Sequence, residues 1–376
     1  MNIAIIGSRG FPFVYSGFET FVGELAPRLV ERGHQVTVYC HRGLFESRPN
    51  IVNGVRLRYI PSVNLKKMSQ LTNSFMSTLD AIWRDYDVIL YVNSANGPLG
   101  LITKVFGKRT AINIDGLEWL RPKWKGFGAH YFYWASRMAT KLFDVIISDS
   151  DHMAEIYKKE FRTDCVVIAY GENLSAGQNP ELLKSFNLRQ GEYYLVVGRL
   201  IPDNNASLIV QGFKQSATKR KLVIVGDVPY KDVYAEGLKR TRDQRVVFTG
   251  YVRDADMLRE LYCNSYAYIH GHEFGGTNPT LLKALACGCC ILALDTFFNR
   301  EVLNHDEYGI FFQKDPKEIA RLIERVDNDK SIVDVFRSKA RKRITERYTW
   351  DRITDQYEKL FKEMDKVRPG KDAGQK

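Results

Sequence analysis

The chain alternates short apolar runs with helix-period segments, and it does so twice. The first series is 2–7 (NIAIIG), 35–40 (QVTVYC), 55–60 (VRLRYI), 87–92 (DVILYV), 110–114 (TAINI) and 144–148 (DVIIS). The second is 193–198 (YYLVVG), 221–226 (KLVIVG), 246–250 (VVFTG), 266–270 (YAYIH), 290–294 (CILAL) and 309–312 (GIFF). Runs that stay apolar instead of alternating predict strands buried on both faces. Helical segments between them, such as Gly17 to Glu31, predict crossover connections and hence parallel sheets. Two series predict an α/β protein of two doubly wound, Rossmann-like domains, 1–170 and 171–345, facing a central cleft. The boundary falls in the segment from Gly171 to Gly191, which holds Ser175, Gly177, Asn179 and Pro180. A last amphipathic pattern runs from about Asp351 to Val367, and 368–376 reads as a disordered tail.

Open parallel sheets bind ligands outside the carboxyl ends of their strands. The loops there are the places to look for chemistry. Gly275-Gly276-Thr277-Asn278 follows the run 266–270 and opens a helix that stops at Gly288. A glycine pair lets a ligand approach the backbone, and a helix start adds partial positive charge, so the segment suits a phosphate. The alternative is an ordinary turn with an Asn or Thr cap. Arg199, at the end of run 193–198, could fork onto phosphate oxygens or sit in a surface salt bridge.

The loop after the first run, Gly7 to Thr20, is Gly-rich but is not G-x-G-x-x-G. No acidic residue ends the second run, where Cys40-His41-Arg42 stands, so dinucleotide binding is not expected. Arg9, Gly10, Gly17 and Glu19 make it a candidate cleft-shaping loop, against the reading of a plain surface loop. Asp115 beside Trp119 suits a sugar, since a carboxylate accepts hydroxyl hydrogen bonds and an indole stacks on a pyranose face. A helix cap by Asp115 is the alternative. Asp149 also ends a strand, and Asp149 or Asp151 is a candidate cap of the next helix.

The net charge of +11 calls for an anionic partner. Residues 60–145 carry 11 Lys and Arg against 6 Asp and Glu, interleaved with aromatics such as Trp124, Phe127, Tyr131 and Trp134. This reads either as a solvated basic face over a normal core or as a face resting on an anionic membrane. No apolar run has the length to span a bilayer, and the first residues read as a strand, not a signal peptide. The six cysteines have neither disulfide nor zinc spacing, which fits a reducing cytoplasm and buried small side chains.

Taken in order, the Gly-rich loop, Asp115-Gly116-Leu117-Glu118-Trp119, Val196-Val197-Gly198-Arg199-Leu200, Gly226-Asp227, Phe248-Thr249-Gly250-Tyr251 and Gly275-Gly276-Thr277-Asn278-Pro279 resemble the family 4 glycosyltransferases. Within them the chain is similar to the bacterial rhamnosyltransferase branch that builds capsule, O-antigen and wall polysaccharides. The resemblance covers about residues 1 to 360. It implies the GT-B fold, retention of anomeric configuration, no metal and no cofactor. It also implies a nucleotide-sugar donor, dTDP-L-rhamnose in this branch, and an undecaprenyl-diphosphate-linked saccharide acceptor at the inner face of the cell membrane. The segment 346–367 is then expected to pack back on the N-terminal domain.

By the same resemblance Arg199 is the diphosphate-binding Arg, and the amides of Gly275, Gly276, Thr277 and Asn278 cradle the phosphates. Glu273 lies near the position that contacts the donor sugar, and Asp115 sits where many relatives place a catalytic-cleft His. This chain departs twice: the usual second phosphate Lys is Asn204, and the acidic ribose position is Lys283. Lys283 cannot accept a hydroxyl hydrogen bond as a carboxylate would, so it is read as a phosphate partner, the alternative being a site that takes a deoxyribose. The two departures keep open a second reading, a weakly active scaffold subunit of a polysaccharide assembly complex. A nucleic-acid binder is not expected, because no base-reading module is recognisable.

Overall fold

The computed structural model describes residues 1–12, 17–62, 69–114, 116–121, 126–228 and 231–366. The chain divides into two compact units. One joins Met1–Tyr170 to Trp350–Lys376, and the other is Gly171–Thr349.

The first unit is built on β1 (Asn2–Ile6), β2 (Gln35–His41), β3 (Ile51–Val52), β4 (Val55–Ile60), β5 (Val88–Val92), β6 (Thr110–Ile114), β7 (Val145–Ser148) and β8 (Val166–Val167). Their order across the sheet is β3-β4-β2-β1-β5-β6-β7-β8. The β3–β4 pair is antiparallel and the other pairs are parallel. Every residue of β5 and β6 is buried, as an unbroken apolar run requires when helices cover both faces. Strands β3 and β8 were not expected, because two residues carry no periodicity to read.

The chain returns to this unit at its end. Helix Trp350–Lys366 buries Trp350, Ile353, Thr354, Tyr357, Leu360, Phe361 and Met364, a 3.6-residue stripe. Phe21, from helix Gly17–Glu31, has its ring centroid 5.3 Å from Tyr357 and 6.5 Å from Trp350. Arg32 pairs with Asp355 at 2.6 Å, Arg109 with Asp365 at 3.0 Å, and Asn113 Nδ2 donates to the Tyr357 hydroxyl at 2.7 Å. The expected start of this segment at 346 falls inside helix Lys330–Arg347, and the chain breaks at Tyr348 instead.

The second unit carries β9 (Tyr193–Val197), β10 (Lys221–Val225), β11 (Val246–Gly250), β12 (Ala267–His270), β13 (Ile291–Leu294) and β14 (Ile310–Phe312) in the order β11-β10-β9-β12-β13-β14. All its pairs are parallel. One cluster of its core includes Tyr194, Ile209, Phe213, Ile224, Ile269, Leu292 and Ile323. Each such side chain contributes roughly 1.5–3 kcal/mol by leaving water.

Candidate functional site

In the second unit the strand order reverses between β9 and β12. Crevices for ligands open at the carboxyl ends of strands at such a switch point. Here the backbone layers meet closely. A Cβ on Gly226 would lie 2.1 Å from the Gly198 carbonyl oxygen, and φ there is +124°. A Cβ on Gly198 would lie 2.9 Å from the His272 ring. Only glycine fits both places. Asn204 Nδ2 donates to the Arg199 carbonyl at 2.8 Å, and Asn205 Nδ2 donates to the Gly271 carbonyl at 2.9 Å. The buried asparagines therefore lock the loop after β9 to the loop after β12. The Arg199 side chain is exposed, and among the described residues its guanidinium makes no hydrogen bond or ion pair.

On the β12 side, Glu273 N–H donates to the Asp203 carbonyl at 3.1 Å, and its carboxylate pairs with Lys314 at 2.5 Å. Asn278 caps helix Pro279–Ala286 and accepts from Thr280 N–H at 2.9 Å. Pro279 has no N–H, and the Leu281 and Leu282 amides donate to the Asn278 carbonyl. The first turn of this helix is thus already satisfied. The open donors lie just before it: among the described residues the N–H groups of Gly275, Gly276 and Asn278 have no acceptor. Gly275 has φ +115° and turns the chain there. Thr277 is buried beside them.

Lys283 Nζ lies 3.5 Å from the Glu172 carboxylate, so the residue that replaces the expected acid has an acidic neighbour of its own. Two residues that the sequence did not single out also end β12. His270 is fully buried and stacks on His272 at 4.6 Å with an interplanar angle of 16°. Burial, with the His272 ring beside it, holds its pKa well below the ordinary imidazole value, so it is neutral. Its Nδ1 lies 3.3 Å from the Tyr268 hydroxyl, and Nε2 has no partner among the described residues. A His-x-His pair closing an apolar run was the available signal.

In the first unit the order reverses between β1 and β5. A Cβ on Gly7 would lie 2.4 Å from the Val92 carbonyl oxygen. Arg9 N–H donates to the Glu19 carboxylate at 2.9 Å, and the Arg9 guanidinium lies 3.7 Å from it. Glu19 is buried in the first turn of the helix that Gly17 opens, where the helix dipole favours an anion. Gly10 packs against Cys40, with φ +126°. Gln70 Nε2 donates to the carbonyls of Gly7 and Ser8 at 2.9 and 3.0 Å.

Asp115 lies outside the described residues. Trp119 sits in an aromatic cluster, 5.9 Å from Tyr133, 5.8 Å from Tyr157 and 5.9 Å from Phe161. Asp149 is fully buried, and the cap of helix Asp151–Phe161 is Ser150, which accepts from Met153 N–H. A cavity of about 460 Å³ is lined by residues that include Cys263, Cys287, Arg337 and Arg341. It lies where strands β12 and β13 begin, at the sheet edge opposite the switch point.

Two family models match: Glycosyltransferase Family 4 over residues 15–175, and Glycosyl transferases group 1 over residues 179–345. Together the two matches support a family 4 GT-B glycosyltransferase. It is 26% identical over 196 residues to an uncharacterized glycosyltransferase of Methanocaldococcus jannaschii, covering 50% of each chain. It is 28% identical over 127 residues to N-acetylgalactosamine-N,N'-diacetylbacillosaminyl-diphospho-undecaprenol 4-alpha-N-acetylgalactosaminyltransferase of Campylobacter jejuni, covering 33% of this chain and 34% of that one. The chain thus spans half or less of the length of these two relatives. It is 22% identical over 298 residues to the capsular polysaccharide biosynthesis glycosyltransferase CapM of Staphylococcus aureus, covering 73% of this chain and 78% of that one.

Among solved structures, sucrose-phosphate synthase from Thermosynechococcus elongatus superposes with a TM-score of 0.82 at 17% identity, over 98% of this chain and 100% of that one. Anabaena HepE in complex with UDP gives 0.76 at 16% identity, over 96% and 99%. These likenesses show the GT-B fold. Among the described residues no helix is long and apolar enough to cross a membrane.

Proposed function

We propose that the protein is a retaining glycosyltransferase moving L-rhamnose from dTDP-L-rhamnose to an undecaprenyl-diphosphate-linked saccharide. It would work at the inner face of the cell membrane, in capsule, O-antigen or wall polysaccharide synthesis. The observation that carries the transferase part is the β9–β12 switch point, where an unengaged Arg199 follows β9 and the open amides of Gly275, Gly276 and Asn278 follow the neighbouring β12 in one unit. That is an anion site with its dipoles already fixed. HepE binds UDP and UDP-glucose on the same fold, and the Campylobacter relative is named for a diphospho-undecaprenol substrate. Rhamnose rests on the branch resemblance alone, carried by Gly275–Pro279 and Ser16-Gly17-Phe18-Glu19-Thr20-Phe21.

In the step, the bond from the sugar's anomeric carbon to the diphosphate oxygen breaks and the acceptor oxygen bonds to that carbon. The acceptor's proton passes to the departing phosphate oxygen, on the face that diphosphate has just left. Arg199 and the glycine amides stabilise the departing charge, so neither a protein nucleophile nor a metal is assigned. Glu273, held by Lys314, is read as the donor-sugar contact, Lys283 as a neighbouring phosphate partner, and Asp115 as a cleft acid. Arg9, Gly10, Gly17, Glu19, Trp119 and Asp149 belong to the acceptor side.

A ligand that binds the folded state raises stability by RT ln(1 + [L]/Kd). dTDP and dTDP-L-rhamnose should raise Tm more than UDP and UDP-glucose do. A shift with UDP ligands only would overturn the donor. The Lys283–Glu172 pair favours the second reading, a weakly active scaffold. A labelled donor that binds yet releases no nucleoside diphosphate with any lipid-linked acceptor would decide for it.

A further inference from the structure

The helix Ser69–Ala81 is turned inside out. A helix covering a sheet normally presents its apolar stripe to the core. Here the buried residues are Asn73, Ser74, Ser77, Thr78 and Ala81. Two of them make polar contacts: Asn73 Nδ2 donates to the Ile60 carbonyl at 3.0 Å, and the Thr78 hydroxyl meets the Tyr91 hydroxyl at 2.8 Å, while the buried Ser74 and Ser77 hydroxyls have no partner among the described residues. Phe75 and Met76 point the other way. Phe75 is 43% exposed, Met76 42%, and Trp83, just beyond the helix end, 78%.

The stripe continues on a neighbouring element. The Trp83 ring meets Phe106 edge to face at 5.4 Å. Phe106 follows helix Gly100–Val105, whose Leu101 and Val105 are 54% and 74% exposed. Leu101, Lys104 and Val105 stand at i, i+3 and i+4, on one face. Lys104 Nζ donates to the Lys141 carbonyl at 3.1 Å, and Lys108 Nζ to the Arg84 carbonyl at 2.6 Å. Among the described residues neither ammonium pairs with a carboxylate, so their charge is not neutralised. The nearby Asp80 is taken up by Arg58 and Arg84.

We infer that this face, Phe75, Met76, Trp83, Leu101, Val105 and Phe106 with Lys104 and Lys108 at its rim, seats the protein on an anionic lipid bilayer. The inference rests on the membrane-side part of the reading above and supplies the surface. An apolar band edged by unneutralised lysines matches the boundary between acyl chains and anionic headgroups. The same helix carries Gln70, which holds the carbonyls of Gly7 and Ser8 at the β1–β5 switch point. The band therefore starts beside the acceptor-side loop, where a lipid-linked substrate would bring its headgroup.

The test is flotation with phosphatidylglycerol–phosphatidylcholine vesicles and with phosphatidylcholine alone. Wild type should float with the first and not the second. The double variant Phe75→Ser/Met76→Ser and the single variant Trp83→Ser should each lower binding roughly tenfold. Phe297→Ser removes a 70% exposed aromatic from the other unit and should change nothing. Brominated lipids should quench wild-type tryptophan fluorescence, and Trp83→Phe should keep binding while losing most of that quench. All substituted side chains are exposed, so unchanged Tm values will confirm folding. If wild type floats with neither vesicle, the membrane reading itself fails. If wild type floats and the double variant floats equally well, only this face is wrong. If wild type is a dimer in solution that the double variant breaks, the occupant is a second copy and the bilayer assignment is overturned.

Discussion

The β1–β5 and β9–β12 switch points share a topology and differ in what their arginines do. At the first, Arg9 lies against the buried Glu19, so the loop after β1 is neutralised internally. At the second, Arg199 has no partner among the described residues, while Lys283 and Lys314 lie against Glu172 and Glu273. Close glycine packing is common to both, since Gly7 and Gly226 each press on a carbonyl of a neighbouring segment. The difference teaches that the fold supplies the crevice twice, and that side-chain pairing engages the arginine at the first and leaves Arg199 available at the second.

The largest expected effect tests the shared part. Gly7→Ala and Gly226→Ala each force a methyl to within 2.4 Å or less of a carbonyl oxygen, at φ +108° and +124°. Strain and overpacking together should cost about 4 kcal/mol in either unit. Urea unfolding of the two variants would show it. A mild effect in one unit alone would mean that its crevice is looser than its geometry implies.

The next prediction targets the difference. Arg199→Ala should weaken nucleoside diphosphate binding by about 10- to 100-fold, the loss of a charge-assisted contact. Arg199→Lys should restore part of it, because an ammonium does not bind bidentately. Arg9→Ala should leave that affinity within about twofold. Calorimetric titration of the three variants settles the contrast, and equal losses at Arg9 and Arg199 would erase it.

A third prediction separates the units by pH. Burial pushes the Asp80 carboxyl up, but hydrogen bonds from Arg84, Tyr39 and Arg58 outweigh it and hold the pKa at about 2. The folded value lies below the ordinary 3.8, so the stabilisation is complete above about pH 4 and is lost as pH falls toward 2. It amounts to about 2 kcal/mol for the first unit. Asp80→Asn should flatten that part of the stability profile between pH 4 and 2, and an unchanged profile would rule Asp80 out as its source.

The smallest effect concerns Lys283. Lys283→Gln breaks its contact with Glu172 and should cost less than about 1 kcal/mol of stability. It should weaken diphosphate binding about threefold while leaving the monophosphate unchanged. If Lys283→Glu binds the donor more tightly than wild type, the position faces the ribose and the wild-type site is degraded.

The strands were legible because burial on both faces leaves an unbroken apolar run, as in β5 and β9. The Gly275–Pro279 loop was legible because glycine and proline have few alternative uses. Other features were hidden for a physical reason: they join side chains far apart in sequence, and sequence does not give strand order. Lys283 meets a carboxylate 111 positions away. His270 looked like the end of a core strand, and its stacking on His272 depends on how the chain turns after β12. Helix Ser69–Ala81 carries no such signal, because its buried face is made of Asn73, Ser74, Ser77 and Thr78 and so has no apolar period to read.

The second unit interrupts the first, because Trp350–Lys366 completes a body whose other residues end at Tyr170. This has a consequence for synthesis on the ribosome. The first 170 residues emerge with Phe21 and Tyr170 lacking the ring of Trp350 and the side chains of Tyr357 and Phe361 that later cover that surface. At about 5–20 residues per second, the missing helix follows roughly 10 to 40 s later. By then the interrupting unit has emerged in full. The part of the protein that is made first is the last to be finished, and during that interval its bare aromatic surface is open to chaperones and to neighbouring nascent chains.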